Sequence, residues 1–148
     1  MIVEAQATIN GTKEAVWGAI TDIENAASII SGIKNIEILE KPADGLVGLR
    51  WKETRILFGD SATVVKWITD AVENEFYKTK AEDSGFVFIT TLRLSPSSDG
   101  VTLTSTHETK PQGIVSHLKA LPMFLFKGMI RGAIQHDLND IKDAVEKK

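Results

Sequence analysis

The chain has 148 residues, 43% hydrophobic and 25% charged, with a formal net charge of −3 and a pI near 5.6. That length fits one domain, 1–148, able to bury roughly 70% of the unfolded surface, and the mild acidity argues against nucleic acid, whose binding rests on counterion release by Lys and Arg. The absence of cysteine excludes disulfides, thiolate metal sites and thiol nucleophiles together.

The first residues, Met1 to Ala5, show no basic run followed by an apolar stretch, so no secretory leader is expected. Val3, Ala5, Ala7 and Ile9 alternate with polar residues in a strand over 2–9. Asn10-Gly11 turns it, and Thr12 is placed to N-cap a helix carrying Ala15, Val16, Ala19, Ile20 and Ile23 on one side. A second short helix is expected around Ala26, Ala27, Ile29 and Ile30, ending at Ser31-Gly32. Ile36 and Ile38 then alternate with Glu37 in a second strand, and Lys41 to Gly45 forms a loop.

From Gly48 onward the pattern is strands and tight turns. Residues 49–57 and 62–69 flank a hairpin at Phe58-Gly59-Asp60, and 76–81 follows. Residues 86–94 and 101–109 flank the turn signal of Ser95 to Gly100. Strands at this spacing imply an antiparallel meander.

The last quarter changes period. From Gly113 to Val145, apolar residues recur at Ile114, Leu118, Leu121, Leu125, Met129, Ile130, Ile134, Leu138, Ile141 and Val145, the steps of three and four that mark one helix face. A helix of that length runs about 50 Å, kinked or restarted at Pro122, which lacks the amide hydrogen a helix interior needs. The most apolar window, Leu121 to Ile134, contains Lys127 and Arg131 and falls short of the ~20 residues of a membrane span. It is apolar on more than one face, so it lines a cavity or meets a partner, which leaves a homodimer open. Gly128 and Gly132 bare one strip of the helix, for close packing or for a ligand. A soluble, cytoplasmic protein is the expectation. Its α+β plan is a curved antiparallel sheet wrapped around a long C-terminal helix, with two short helices after the first strand. The gap between sheet and helix suits a small hydrophobic molecule.

Trp51, Glu53 and Arg55 share one strand face, with Lys52 and Thr54 on the other. Two readings stand. If that face points inward, Arg55 can grip a carboxylate, phosphate or enolate oxygen and Glu53 can hold it or move a proton. If it points outward, the charges pair across strands in solvent, which is the commoner fate of charged residues. His107 shares a face with Val101, Leu103 and Ser105, where it is either an acid–base partner for Glu53 and Tyr77 or a structural histidine. Glu53 and His107 are therefore the catalytic candidates. Trp51, Trp67, Tyr77, Phe88, Leu103, Met123, Phe126 and Met129, with Arg55, are the ligand-binding candidates, since aromatics and methionine suit an adaptable apolar pocket as well as a core. No His-x-x-x-His or His-Glu-x-x-His spacing occurs and no glycine-rich phosphate loop, so neither a metal nor another cofactor is expected.

Three stretches carry a resemblance: Gly48-Leu49-Arg50-Trp51-Lys52-Glu53-Thr54-Arg55-Ile56-Leu57-Phe58-Gly59, Ser95-Pro96 through Gly100-Val101-Thr102-Leu103-Thr104, and Asp137-Leu138-Asn139-Asp140-Ile141-Lys142. With the element order, they resemble polyketide-cyclase-like members of the START-like (SRPBCC) superfamily. The resemblance implies the helix-grip fold over the whole chain and a ligand cavity, and its motif also carries the positions of Glu53 and Arg55. It leaves two functions open: a binder or carrier of a lipid, isoprenoid or aromatic polyketide, and an enzyme of cyclase, dehydratase or isomerase type.

Overall fold

A computed structural model describes residues 1–57, 59–113 and 126–147. Seven strands, β1 (Ile2–Ile9), β2 (Ile33–Glu40), β3 (Arg50–Leu57), β4 (Asp60–Val72), β5 (Phe76–Asp83), β6 (Phe86–Ser97) and β7 (Gly100–Pro111), form one sheet. Their order is β1-β7-β6-β5-β4-β3-β2, and every neighbouring pair is antiparallel. Consecutive strands from β2 to β7 are hairpin neighbours, and β1 closes the far side against β7.

Helix α1 (Lys13–Thr21) starts where its cap was expected: the Thr12 side chain accepts a hydrogen bond from the Ala15 amide. The second short helix is instead a 3-10 turn and begins earlier, at Ile23–Ser28. Its polar residues bond locally: the Asn25 amide donates to both Asp22 carboxylate oxygens, and the Ser28 hydroxyl donates to the Asn25 carbonyl. Such bonds compete with α-helical ones and tighten the chain.

The turn expected over 95–100 is shorter, because β6 runs to Ser97 and β7 starts at Gly100. Pro96 is tolerated because β6 has there outrun β5, whose pairing ends at Phe76 opposite Arg93. Gly100 is required, with φ +135°, because a β-carbon there would strike the Ile9 carbonyl oxygen.

Helix α2 (Lys127–Glu146) buries Leu138, Ile141 and Val145 in a core shared with Ala5, Ala7 and Ile9 of β1 and Val16 and Ile20 of α1. Its expected N-terminal portion and the Pro122 kink lie outside the described residues. Polar side chains of α2 also cover the free edge of β1. Arg131 Nε donates to the Glu4 carbonyl at 3.3 Å, Gln135 Nε2 to that of Gln6 at 3.0 Å, and Lys142 Nζ to that of Thr8 at 2.6 Å. Glu146 accepts from the Asn10 amide at 2.8 Å. An open strand edge is a template for unwanted pairing, and the helix occupies it. On the opposite side, Asp140 accepts from the Ser31 amide and hydroxyl at 3.0 and 2.9 Å. Helix α2 is thus held from two sides. Open space surrounds Gly128 and Gly132, so among the described residues neither makes room for a close backbone neighbour.

Candidate functional site

Between the concave sheet face, α1 with its 3-10 turn, and α2 lies a cavity of about 480 Å³, within the usual range for small-molecule sites. Its walls are mostly apolar: Ile20, Ile23, Ile29 and Ile30 on one side, Ala81, Phe88 and Leu92 on the sheet, and Ile130, Ile134 and Ile141 on α2.

Charged groups gather at one side of it. The β3–β4 register sets Trp51 opposite Lys66, Glu53 opposite Val64 and Arg55 opposite Ala62, so Lys66 joins the inward face of β3. Glu53, only 4% exposed, accepts from three donors. Trp51 Nε1 reaches Oε1 at 3.2 Å, while Arg55 Nε and Lys66 Nζ reach Oε2 at 2.7 and 2.9 Å. The other side of the Arg55 guanidinium is taken too, by Asp137 of α2, with Nη2 to Oδ2 at 2.7 Å. Burial alone would raise the Glu53 pKa, but the charges and hydrogen bonds of Lys66 and Arg55 outweigh it and hold the pKa at about 2. Glu53 is a fixed anion at neutral pH. Arg55 is held above its ordinary value: burial would lower it, but the bonds and charges of Asp137 and Glu53 outweigh that effect.

A polar row crosses the middle of the concave face. Ile68, Thr79, Thr90, His107 and Val3 are successive cross-strand partners from β4 to β1. His107 Nδ1 and Thr90 Oγ1 are 3.0 Å apart, and the imidazole stacks on Phe88 with centroids 6.0 Å apart. Burial, then the charges of Lys66 and Arg55, lower the His107 pKa from 6.5 to about 4. The ring is neutral at pH 7 and keeps one nitrogen to accept or donate. Tyr77 is committed elsewhere: its hydroxyl donates to the Ile20 carbonyl at 2.9 Å, satisfying the last turn of α1. Burial, with the Glu53 charge second, raises its pKa well above the usual phenol value. Thr79 and Ser105, 8% and 4% exposed, line the cavity. Neither hydroxyl bonds another described side chain, nor is either sealed away from a partner.

Of the candidates read from the sequence, Glu53, Arg55, Tyr77, Phe88 and His107 line this cavity. Trp51 is buried just behind Glu53. Leu103 is fully buried in the core and is absent from the lining. Trp67 faces the other way: its register partner is Arg50, whose guanidinium lies 5.2 Å from the indole centroid on the convex face. Phe126 and Met129 are half-exposed and outside the lining, because α2 turns Ile130 and Ile134 inward instead. Met123 lies outside the described residues. Sequence reasoning missed Lys66, Asp137, Thr79 and Thr90. Lys66 was not reachable from the expected turn over 58–60, because β4 starts earlier, at Asp60 opposite Leu57, and only that register sets 66 opposite 51. Asp137 opens one of the stretches that carry the resemblance, but nothing in that stretch marked its carboxylate as a partner for Arg55. Among the described residues no three His, Asp or Glu side chains gather as metal ligands would.

The sheet grips a C-terminal helix over an apolar cavity with a polar cluster on one side, and known proteins share the fold. The family model described as polyketide cyclase / dehydrase and lipid transport matches residues 1–146. The chain belongs to that family. No curated protein matches it at the level of sequence. Solved structures share its fold. A START superfamily protein from Mycobacterium smegmatis is 15% identical with a TM-score of 0.82, the alignment covering 99% of this chain and 97% of that one. TTHA0849 from Thermus thermophilus is 15% identical with a TM-score of 0.81, over 99% and 98%. The Zhui aromatase/cyclase from Streptomyces sp. R1128 is 16% identical with a TM-score of 0.77, over 99% and 94%. At such identities the likeness is one of fold, and this family member keeps the helix-grip architecture that its sequence implied.

Proposed function

We propose that this protein binds and carries a small hydrophobic molecule, a lipid, isoprenoid or aromatic polyketide, in the cavity between sheet and α2. The observation that carries the reading is a 480 Å³ space with apolar walls and hydroxyls of Thr79 and Ser105 that bond no described side chain. An apolar body is favoured there by burial, and a ligand oxygen meets those hydroxyls. Family membership supports the same reading, since it joins lipid transport with cyclase chemistry.

A cyclase or dehydratase is the second reading, favoured by His107, a neutral imidazole on the cavity wall with a pKa lowered to about 4. In that case His107 takes the proton, because Glu53 is pinned as a triply bonded anion and cannot exchange one at neutral pH. With either function we infer a single-domain protein of the cytoplasm. No helix among the described residues is long and apolar enough to cross a membrane.

Native mass spectrometry on protein from a near-native host, followed by solvent extraction, tests the carrier. A stoichiometric apolar adduct is expected. A clean apo mass that stays clean after incubation with a total lipid extract overturns the carrier and leaves the enzyme. His107→Gln then separates the two: a carrier keeps its ligand, and an enzyme binds substrate without turning it over.

A further inference from the structure

Resting on the binding reading above, the geometry points to an uncharged ligand: an apolar molecule bearing ketone, ester or hydroxyl oxygens, with carboxylates and phosphates selected against. The cations turned toward the cavity do not outnumber the anions. Arg55 and Lys66 stand against Glu53, Asp83 and Asp137, whereas Lys80 is the register partner of Trp67 on the convex face and its ammonium lies 3.9 Å from Glu82. Arg55, which the sequence offered as an anion grip, already has its charge compensated by two carboxylates, Glu53 on Nε at 2.7 Å and Asp137 on Nη2 at 2.7 Å. Lys66 is bound to Glu53 at 2.9 Å. An incoming carboxylate would have to displace a buried carboxylate from these cations or sit uncompensated in an apolar space, and either is costly. Neutral dipoles also line the wall, among them the Thr79 and Ser105 hydroxyls and an imidazole that carries no charge at neutral pH. They match ketone, ester and alcohol oxygens.

The ion cluster therefore acts as a selectivity element as well as a brace. Removing one of its anions should release a cation toward the cavity and invert the preference. At neutral pH, dodecan-2-one, methyl dodecanoate and dodecanoate are titrated against bound N-phenyl-1-naphthylamine, an uncharged fluorescent probe. The ketone and ester are expected to displace it at concentrations at least about tenfold below the carboxylate. Equal or tighter binding of dodecanoate overturns the inference. If neither the probe nor any of the three binds, the cavity-binding reading itself falls and takes this inference with it. Glu53→Gln is expected to improve dodecanoate relative to the ketone by at least about tenfold. Asp137→Asn, at a half-buried position on α2, provides the same cation excess if Glu53→Gln does not fold. An unchanged ratio in a folded variant overturns the inference.

Discussion

Glu53 and His107 sit on one concave face, both held deprotonated, one as an anion and one neutral, and both consequences are measurable as stability. Glu53 has a folded pKa of about 2 against an ordinary value of 4.5. Its contribution is complete above pH 4.5 and is lost as the pH falls toward about 2; a shift of that size corresponds to about 3 kcal/mol. His107 is depressed from 6.5 to about 4, so folding favours its neutral form. That contribution is complete above 6.5 and is lost as the pH falls through about 4. The thermal midpoint is therefore expected to drop in two stages on acidification. His107→Gln should flatten the upper stage and spare the lower. A profile identical to wild type between pH 6.5 and 4 would show that His107 is not buried as described. That Glu53 and Arg55 share a face was legible from alternation alone. Which way the face points was not, because parity is blind to inside and outside.

The strand edge and the helix belong to the next scale. Arg131, Gln135 and Lys142 cover three outward carbonyls of β1 with long polar side chains, while Leu138, Ile141 and Val145 on the same helix enter the core. The double variant Gln135→Ala/Lys142→Ala should lose about 1–2 kcal/mol in denaturant unfolding, since exposed bonds contribute modestly. It should also self-associate in sedimentation, because the edge of β1 is freed for pairing. A monomeric variant with wild-type stability would mean that the apolar stripe alone holds α2 in place. The apolar stripe of α2 was plain in the sequence at steps of three and four. Its polar stripe carried no sign of its role, because nothing in Arg131, Gln135 and Lys142 announces a strand edge opposite.

At the scale of the whole molecule, a true core and a cavity compete for the apolar residues. Leu103, fully buried and away from the cavity, should cost about 2–5 kcal/mol on truncation to alanine. Leu92 pairs with Ser105 on the adjacent strand but lines the cavity. It already lacks neighbours on one side, so Leu92→Ala should cost under about 2 kcal/mol. Equal losses in urea unfolding would indicate that the space is closed up in solution. A ligand held in the cavity should raise wild-type stability in the same assay, by about 2.7 kcal/mol at 100-fold over Kd.

The order of elements, the hairpins and the apolar face of α2 were determined by the sequence itself, because periods of 2 and 3.6 and turn residues such as Asp99-Gly100 are local physics. Only the tertiary structure decided which strand face is concave, that Trp67 stacks under Arg50 on the outside, and that Asp137 reaches Arg55 across the gap. Those depend on how sheet twist and register bring together residues as distant as 55 and 137, and local periodicity carries no record of such a pairing.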